Sequence, residues 1–179
     1  SCLLMVRAGS KMRFQNTASL PDKVFSKTRL EKIVFPNTGI SSFGKGVWAY
    51  TSKLKEVVLT ASADANFLYE DGIVYNSDKT TLIAALPFQP NGVDIKHGVI
   101  NVADYAFAGC NLMPRVSLSS DVKTIGKEAF ANCWSLTEFK VFSKNIPQLN
   151  GTNVFKGANV ESCLLMVRAG SKMRFQNTA

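Results

Sequence analysis

General acid–base and nucleophilic catalysis need titratable side chains held together in a pocket, usually with a shifted pKa. His97 is the single histidine of the sequence and sits in "DIKHGVI", just past a strand-like stretch, so it reads as an exposed turn residue without a partner for chemistry. The densest acidic group, Asp64, Glu70, Asp71 and Asp78, raises calcium as a possibility. Its spacing fits neither an EF-hand loop nor a nonapeptide calcium repeat, and it reads as the solubilising surface of a hairpin. "FGKGV" holds Gly and Lys without the spacing of a phosphate loop. Asn150-Gly151-Thr152 is a formal glycosylation sequon, relevant only on a eukaryotic secretory route.

The four cysteines, Cys2, Cys110, Cys133 and Cys163, are the remaining reactive side chains. No C-x-x-C occurs, and one histidine leaves a zinc site short of ligands. The thiols fall instead into two pairs made by repetition. Cys2 and Cys163 are the same residue of an 18-residue segment, "SCLLMVRAGSKMRFQNTA", that occupies 1–18 and recurs letter for letter at 162–179. Cys110 and Cys133 lie 23 residues apart in matching surroundings. Buried free thiols acting as small apolar side chains are expected, with a disulfide between stacked repeats as the alternative. No catalytic, metal-ligating or cofactor-binding residue is assigned.

The elements that hold these residues are themselves repeats. "NVADYAFAGCNLMPRVSLS" and "TIGKEAFANCWSLTEFKVF" align at an offset of 23, so that Val102 meets Ile125, Phe107 meets Phe130, Met113 meets Leu136, and Leu118 meets Val141. "SFGKGVWAYTSKLKEVVLT" matches both, with Trp48 in the Phe slot and Thr51 in the Cys slot, and "LEKIVFPNTGI" is a fainter copy in which Pro36 is expected to close the strand. Units this short cannot bury an apolar face alone and must stack into a solenoid. Alternating apolar residues give rungs at 4–6, 33–35, 57–59, 93–95, 116–118, 139–141 and 165–167, stacked as a narrow parallel sheet. The Ala-Phe stretches return along the opposite face as irregular or short helical segments. There Phe107, Phe130 and Trp48 are expected to form an aromatic column beside the small Ala106 and Ala129. Residues 67–87, "FLYEDGIVYNSDKTTLIAALP", break the period and read as an inserted β-hairpin turning near Asn76 to Lys79. The end segment reads as strand, turn and a short helix capped by Ser10. The fold class expected is therefore α/β: one solenoid over 1–179, with short parallel strands on one face, an inserted hairpin and identical terminal segments.

Bulk properties set limits on function. With 46% hydrophobic and 19% charged residues the chain can bury a core, and no run is long enough for a membrane helix. "SCLLMVRAGSKMRF" lacks the features of a signal peptide, which by itself points to a cytosolic chain or a fragment of something larger. The net charge of +8 is concentrated: Arg7, Lys11, Arg13 and their copies Arg168, Lys172, Arg174 provide six of the eight charges with no acid between them. A nucleic-acid partner is not expected from so uneven a distribution.

The motif I-G-x-x-A-F-x-x-C-x-x-L resembles the BspA-like leucine-rich repeats of cell-surface proteins. "DGIVYNSDKTTLI" is similar to that family's D-G-x-x-Y-N-x-D-K-T-x-L-I element. "LLMVRAGSKMRF" is similar to its closing segment, with Arg7 and Arg168 where Pro is usual. The resemblance implies an extracellular or cell-surface location and a non-catalytic recognition or adhesion role, with a protein or glycan ligand on host matrix or another cell. A structural spacer within a longer surface protein is the alternative. Lys32, Val34, Val58, Asp94, Ser117, Lys140 and Met166 are expected to line the outer face of the sheet. Trp134, Tyr69, Tyr75, Lys32 and Lys140 are the candidate partner-binding residues, and Arg168, Lys172 and Arg174 a candidate basic end patch. End-to-end self-association of the identical segments is a further expectation.

Overall fold

The computed structural model describes residues 3–5, 18–61 and 65–169. The chain winds as a β-solenoid whose coils have three sides. The first side carries β1 (Leu3–Met5), the first half of β3 (Lys32–Phe43), β4 (Glu56–Ala61), β8 (Val93–Ile95), β10 (Arg115–Leu118), β12 (Glu138–Val141) and β14 (Leu164–Val167). Each pairing on this side is parallel, and β8, β10 and β12 meet at the 23-residue offset: Val93, Val116 and Phe139 lie in one row, and Ile95, Leu118 and Val141 in another. Ile33, Val57 and all six residues of these two rows are buried, because alternate strand residues face the same way.

The second side carries β2 (Ala18–Leu20), the second half of β3, β9 (Asn101–Val102), β11 (Thr124–Gly126) and β13 (Gln148–Asn150). Pro36 does not close the strand as expected. β3 runs through it to Phe43 and serves both sides, with a register shift between Val34 and Gly39 in its pairing with β4. A proline cannot donate to a ladder but its φ suits extended backbone, so it fits the corner between two sheets. The period-breaking segment also lies on this side. Instead of a lone hairpin it is a three-stranded meander of β5 (Phe67–Glu70), β6 (Ile73–Asn76) and β7 (Thr81–Ala85), antiparallel until β7 resumes parallel pairing with β9. The Asn66 amide donates to Ser41 O, so the meander sits within the wall of the solenoid.

The third side contains no helix, which corrects the α/β assignment: the described residues are all-β. Left-handed backbone recurs in pairs four residues apart, at Lys23 and Lys27, Gly46 and Tyr50, Tyr105 and Gly109, Glu128 and Asn132, and Asn153 and Gly157. A right-handed helix cannot pass through such positions. The segments between them hydrogen-bond to the next coil instead. Tyr105, Phe107 and Gly109 donate to the carbonyls of Lys127, Ala129 and Ala131, and Glu128, Phe130 and Asn132 donate to those of Thr152, Val154 and Lys156. The helix expected after Ser10 lies outside the described residues.

Inside the coil, Phe107, Phe130 and Phe155 stack in a column, with centroids 5.0 and 5.5 Å apart and rings within 10° of parallel. Trp48 is not stacked with them. It meets Phe43 edge-on at 5.5 Å and donates its indole N–H to Ala85 O at 2.7 Å, because the chain leaving β7 occupies the coil between Trp48 and Phe107. Phe155 was hidden from the sequence comparison because its Val-Phe pair follows Ala129-Phe130 at an offset of 25 rather than 23.

The cysteine slot has a defined task. Cys133 Sγ donates to Phe107 O at 3.3 Å, Cys110 Sγ to Leu86 O at 3.7 Å, and Thr51 Oγ1 to Phe25 O at 2.5 Å. Each small donor reaches back to a carbonyl of the preceding coil, where Phe107 O also accepts the Cys110 amide and Phe25 O the Thr28 hydroxyl. Cys110, Cys133 and Cys163 are free thiols. Burial pushes the Cys133 thiol up to about 12 and raises that of Cys110 as well. Alkylation of the native protein at pH 8, followed by peptide mapping, is therefore expected to leave Cys110 and Cys133 unmodified while the half-buried Cys163 is labelled. Rapid native labelling of Cys133 contradicts this packing.

Candidate partner-binding surface

The outward positions of the first side form two registered rows on its C-terminal strands. Arg115, Glu138 and Leu164 make one, and Asp94, Ser117, Lys140 and Met166 the other. Most of the charge along them is paired. Arg115 grips Asp94 with both terminal nitrogens at 2.6 and 3.2 Å and holds its carboxyl below the usual range. Lys140 pairs with Glu138 on the same strand, and at the other end Lys32 pairs with Glu56 at 2.7 Å. Exposed ion pairs of this kind stabilise by about 1 kcal/mol or less. The rows thus end on bare apolar side chains, Leu164 and Met166, and Val58 is exposed in the row of Val34.

Where the strands β12 and β14 end, the surface folds into a cleft of about 610 Å³ lined by His97, Ser120, Lys140, Val141, Phe142, Met166, Val167 and Arg168. Phe142 is 53% exposed and Met166 45% exposed, so two large apolar groups border the cleft beside two cations. Next to the lining residue Ser120, Asp121 accepts the Gly98 amide at 2.9 Å and lies 3.1 Å from His97 Nδ1; these contacts lower the pKa of Asp121. His97 is thus anchored to the next coil by its neighbour's carboxylate.

The candidate residues separate on the structure. Lys140 and Arg168 share the cleft. Lys32 lies on the first side at the opposite end. Trp134 is 60% exposed but stands on the third side, close to Gly157. Tyr69 is half-buried, and burial pushes its phenol up to about 12. Tyr75 is 4% exposed and belongs to the core, which withdraws it from any partner surface. It was a candidate because it does not share the repeat position of Phe107 and Phe130, but the meander is covered on the face that Tyr75 occupies. Lys172 and Arg174 lie outside the described residues. Phe142 and Met166 complete the cleft; Met166 was placed on the outer face from the sequence, whereas Phe142 follows the rung and carried no repeat signal.

The acidic group is structural. Glu70 pairs with Lys79 at 2.7 Å and Asp71 with Lys96 at 3.6 Å, while Asp78 accepts the Thr80 amide and hydroxyl in the turn between β6 and β7. Asp64 lies outside the described residues.

Three-sided coils, short registered parallel strands and a repeat of 23 residues over β8, β10 and β12 define a leucine-rich-repeat solenoid. The chain belongs to the family described as the BspA type leucine rich repeat region, which matches in six copies over residues 10–71 and 89–173. It is similar in fold to a leucine-rich cell-surface protein of Faecalibacterium prausnitzii A2-165, with 24% identity, a TM-score of 0.61, and coverage of 78% of this chain and 36% of that one. A leucine-rich repeat protein of Eubacterium ventriosum ATCC 27560 also shares the fold, with 18% identity, a TM-score of 0.61, and coverage of 85% and 46%. This chain thus spans less than half the length of either structure. No significant match is found among curated protein sequences. The matching family is one of repeat modules, and no catalytic family is indicated.

Proposed function

We propose that this chain is a non-catalytic recognition module of a cell-surface or secreted protein and that it holds a protein or glycan partner in the cleft at the ends of β12 and β14. The observation that carries this reading is the grouping of solvent-exposed Phe142 and Met166 with Lys140 and Arg168 around one concavity. An aromatic ring and a thioether supply apolar contact, and Arg168, beside a Lys140 already paired with Glu138, favours a partner that presents negative charge. The neutralised rows beside the cleft add little net attraction of their own. Backbone ladders on three sides hold the cleft on a rigid frame, which limits the ordering cost of binding.

The test is a binding screen of the purified chain against matrix proteins and against sulfated, sialylated and neutral glycans. A hit is then measured with the double variant Phe142→Ser, Arg168→Glu. The expected result is at least a tenfold loss of affinity in that variant and weakening with added salt, with Trp134→Ala unchanged. Retained affinity in the double variant, or loss of binding only with Trp134→Ala, overturns the assignment of the cleft.

A further inference from the structure

The third side hands over to the first at a corner that the chain passes shortly before each first-side strand. Four such corners follow one another along the solenoid, ahead of β8, β10, β12 and β14, which are neighbours in one sheet in that order. They read "PFQPN" (87–91), "CNLMP" (110–114), "CWSLT" (133–137) and "GANV" (157–160), without a charged residue among them. In a chain with 21 Lys and Arg and 13 Asp and Glu, this leaves an uncharged strip four coils long. Lys55 stands at one end of it, 5.9 Å from the Phe88 ring centroid, and Glu161 follows Val160 at the other.

Each corner sets one large apolar side chain in solvent. Phe88, Leu112, Trp134 and Val160 are between 39% and 60% exposed. Singly such residues are ordinary on a surface, but a contiguous row of them marks an interaction site. Next to each in the chain stands a part-exposed neutral polar residue: Gln89, Asn111, Ser135 and Asn159. Backbone bonds on both sides of the corners fix their spacing. On the third side the amides of Gly109 and Asn132 donate to Ala131 O and Lys156 O, and on the first side those of Thr137 and Leu164 donate to Pro114 O and Thr137 O. The corners held between these bonds repeat at the coil period, about 4.8 Å.

That pattern is the complement of an amphipathic, uncharged polymer. A neutral pyranose ring offers C–H groups on one face and hydroxyls around its edge, and in an extended chain it advances by a length close to one coil period. Aromatic and aliphatic side chains meet the C–H face, while amides and hydroxyls bond the edge. A folded protein partner is held instead by anchors seated in pockets, whereas this strip is a row of protruding side chains. We infer that Phe88, Leu112, Trp134 and Val160 form a ledge that binds an uncharged, β-linked polysaccharide laid along the solenoid axis, one sugar residue to each coil. The ledge is separate from the cleft beside Phe142, and the inference does not rest on the reading of that cleft. Their ligands keep the two sites apart: the cleft favours negative charge, and the ledge takes a chain that has none.

The test titrates the purified chain with neutral β-linked cello-, xylo- and mannooligosaccharides of two and six residues by calorimetry. At least one hexasaccharide is expected to bind, at least tenfold more tightly than its disaccharide because only the longer chain spans the four coils, and with an affinity that added salt leaves unchanged. Trp134→Ala and Phe88→Ala are each expected to weaken it at least fivefold, and Trp134→Phe to keep most of the affinity. The cleft variant Phe142→Ser, Arg168→Glu is expected to bind the sugar unchanged, and thermal midpoints check that every variant is folded. Failure of every hexasaccharide to bind, no effect of length, native affinity in Trp134→Ala, or loss of the sugar in the cleft variant alone overturns the inference. A protein partner lost with Trp134→Ala while the sugars are ignored assigns the ledge to protein and overturns it equally.

Discussion

Replacing Phe130 by Ala is expected to lower stability by about 3–5 kcal/mol, the range for removing a buried aromatic ring, and to lower the thermal midpoint by roughly 10 °C for a chain of this size. Phe130 is fully buried and meets three other rings: it stacks between Phe107 and Phe155 and is edge-on to Phe139 at 5.3 Å. Its loss leaves a cavity between coils that the backbone ladders hold apart, so relaxation into the gap is limited. Phe155→Ala removes a ring that is only half-buried and is expected to cost about half as much. Thermal unfolding of both variants checks the pair, and equal losses contradict the deeper burial of Phe130.

Gly126→Val is expected to cost about 3 kcal/mol, at the upper end for overpacking a core. A Cβ at Gly126 falls 2.5 Å from the Asp104 backbone nitrogen and 2.7 Å from the Ala103 carbonyl carbon, and backbone cannot move aside as a flexible side chain can. The equivalent position of the coil before is Ala103, whose amide bonds to Leu82 of the meander. There a methyl group is already accommodated, so Ala103→Gly is expected to change stability by less than about 1 kcal/mol. Denaturant unfolding distinguishes the two; a mild effect of Gly126→Val places the coils further apart than this packing requires.

The rungs and their register were legible in the sequence because the apolar pairs recur at 23 residues without insertion from Val93 to Val141. Phe107 and Phe130 could be placed in one column on that offset alone. Three features resisted. The third side was read as helix-compatible because its left-handed turns fall on ordinary residues such as Lys23, Tyr105 and Glu128 rather than on glycine throughout. Trp48 was assigned to the column because composition cannot show that Ala85 and Leu86 enter the intervening coil. The cleft was half-visible: Lys140, Met166 and Arg168 could be placed on strands, but Phe142 and His97 join them only through the corner where the chain leaves the sheet. A repeat comparison finds what is alike between coils, whereas a partner site is built from what differs.

The rigid display of the cleft depends on a coil closed by hydrogen bonds on three sides, and site-resolved native-state amide exchange tests that most directly. The amides of Tyr105, Phe107, Gly109, Glu128, Phe130 and Asn132 lie outside every strand yet donate between coils. Protection of these six comparable to that of Val116 and Leu118 in β10 is predicted. Fast exchange at the six, with the β10 amides still protected, would show that the third side is a set of loops and contradict the three-sided coil.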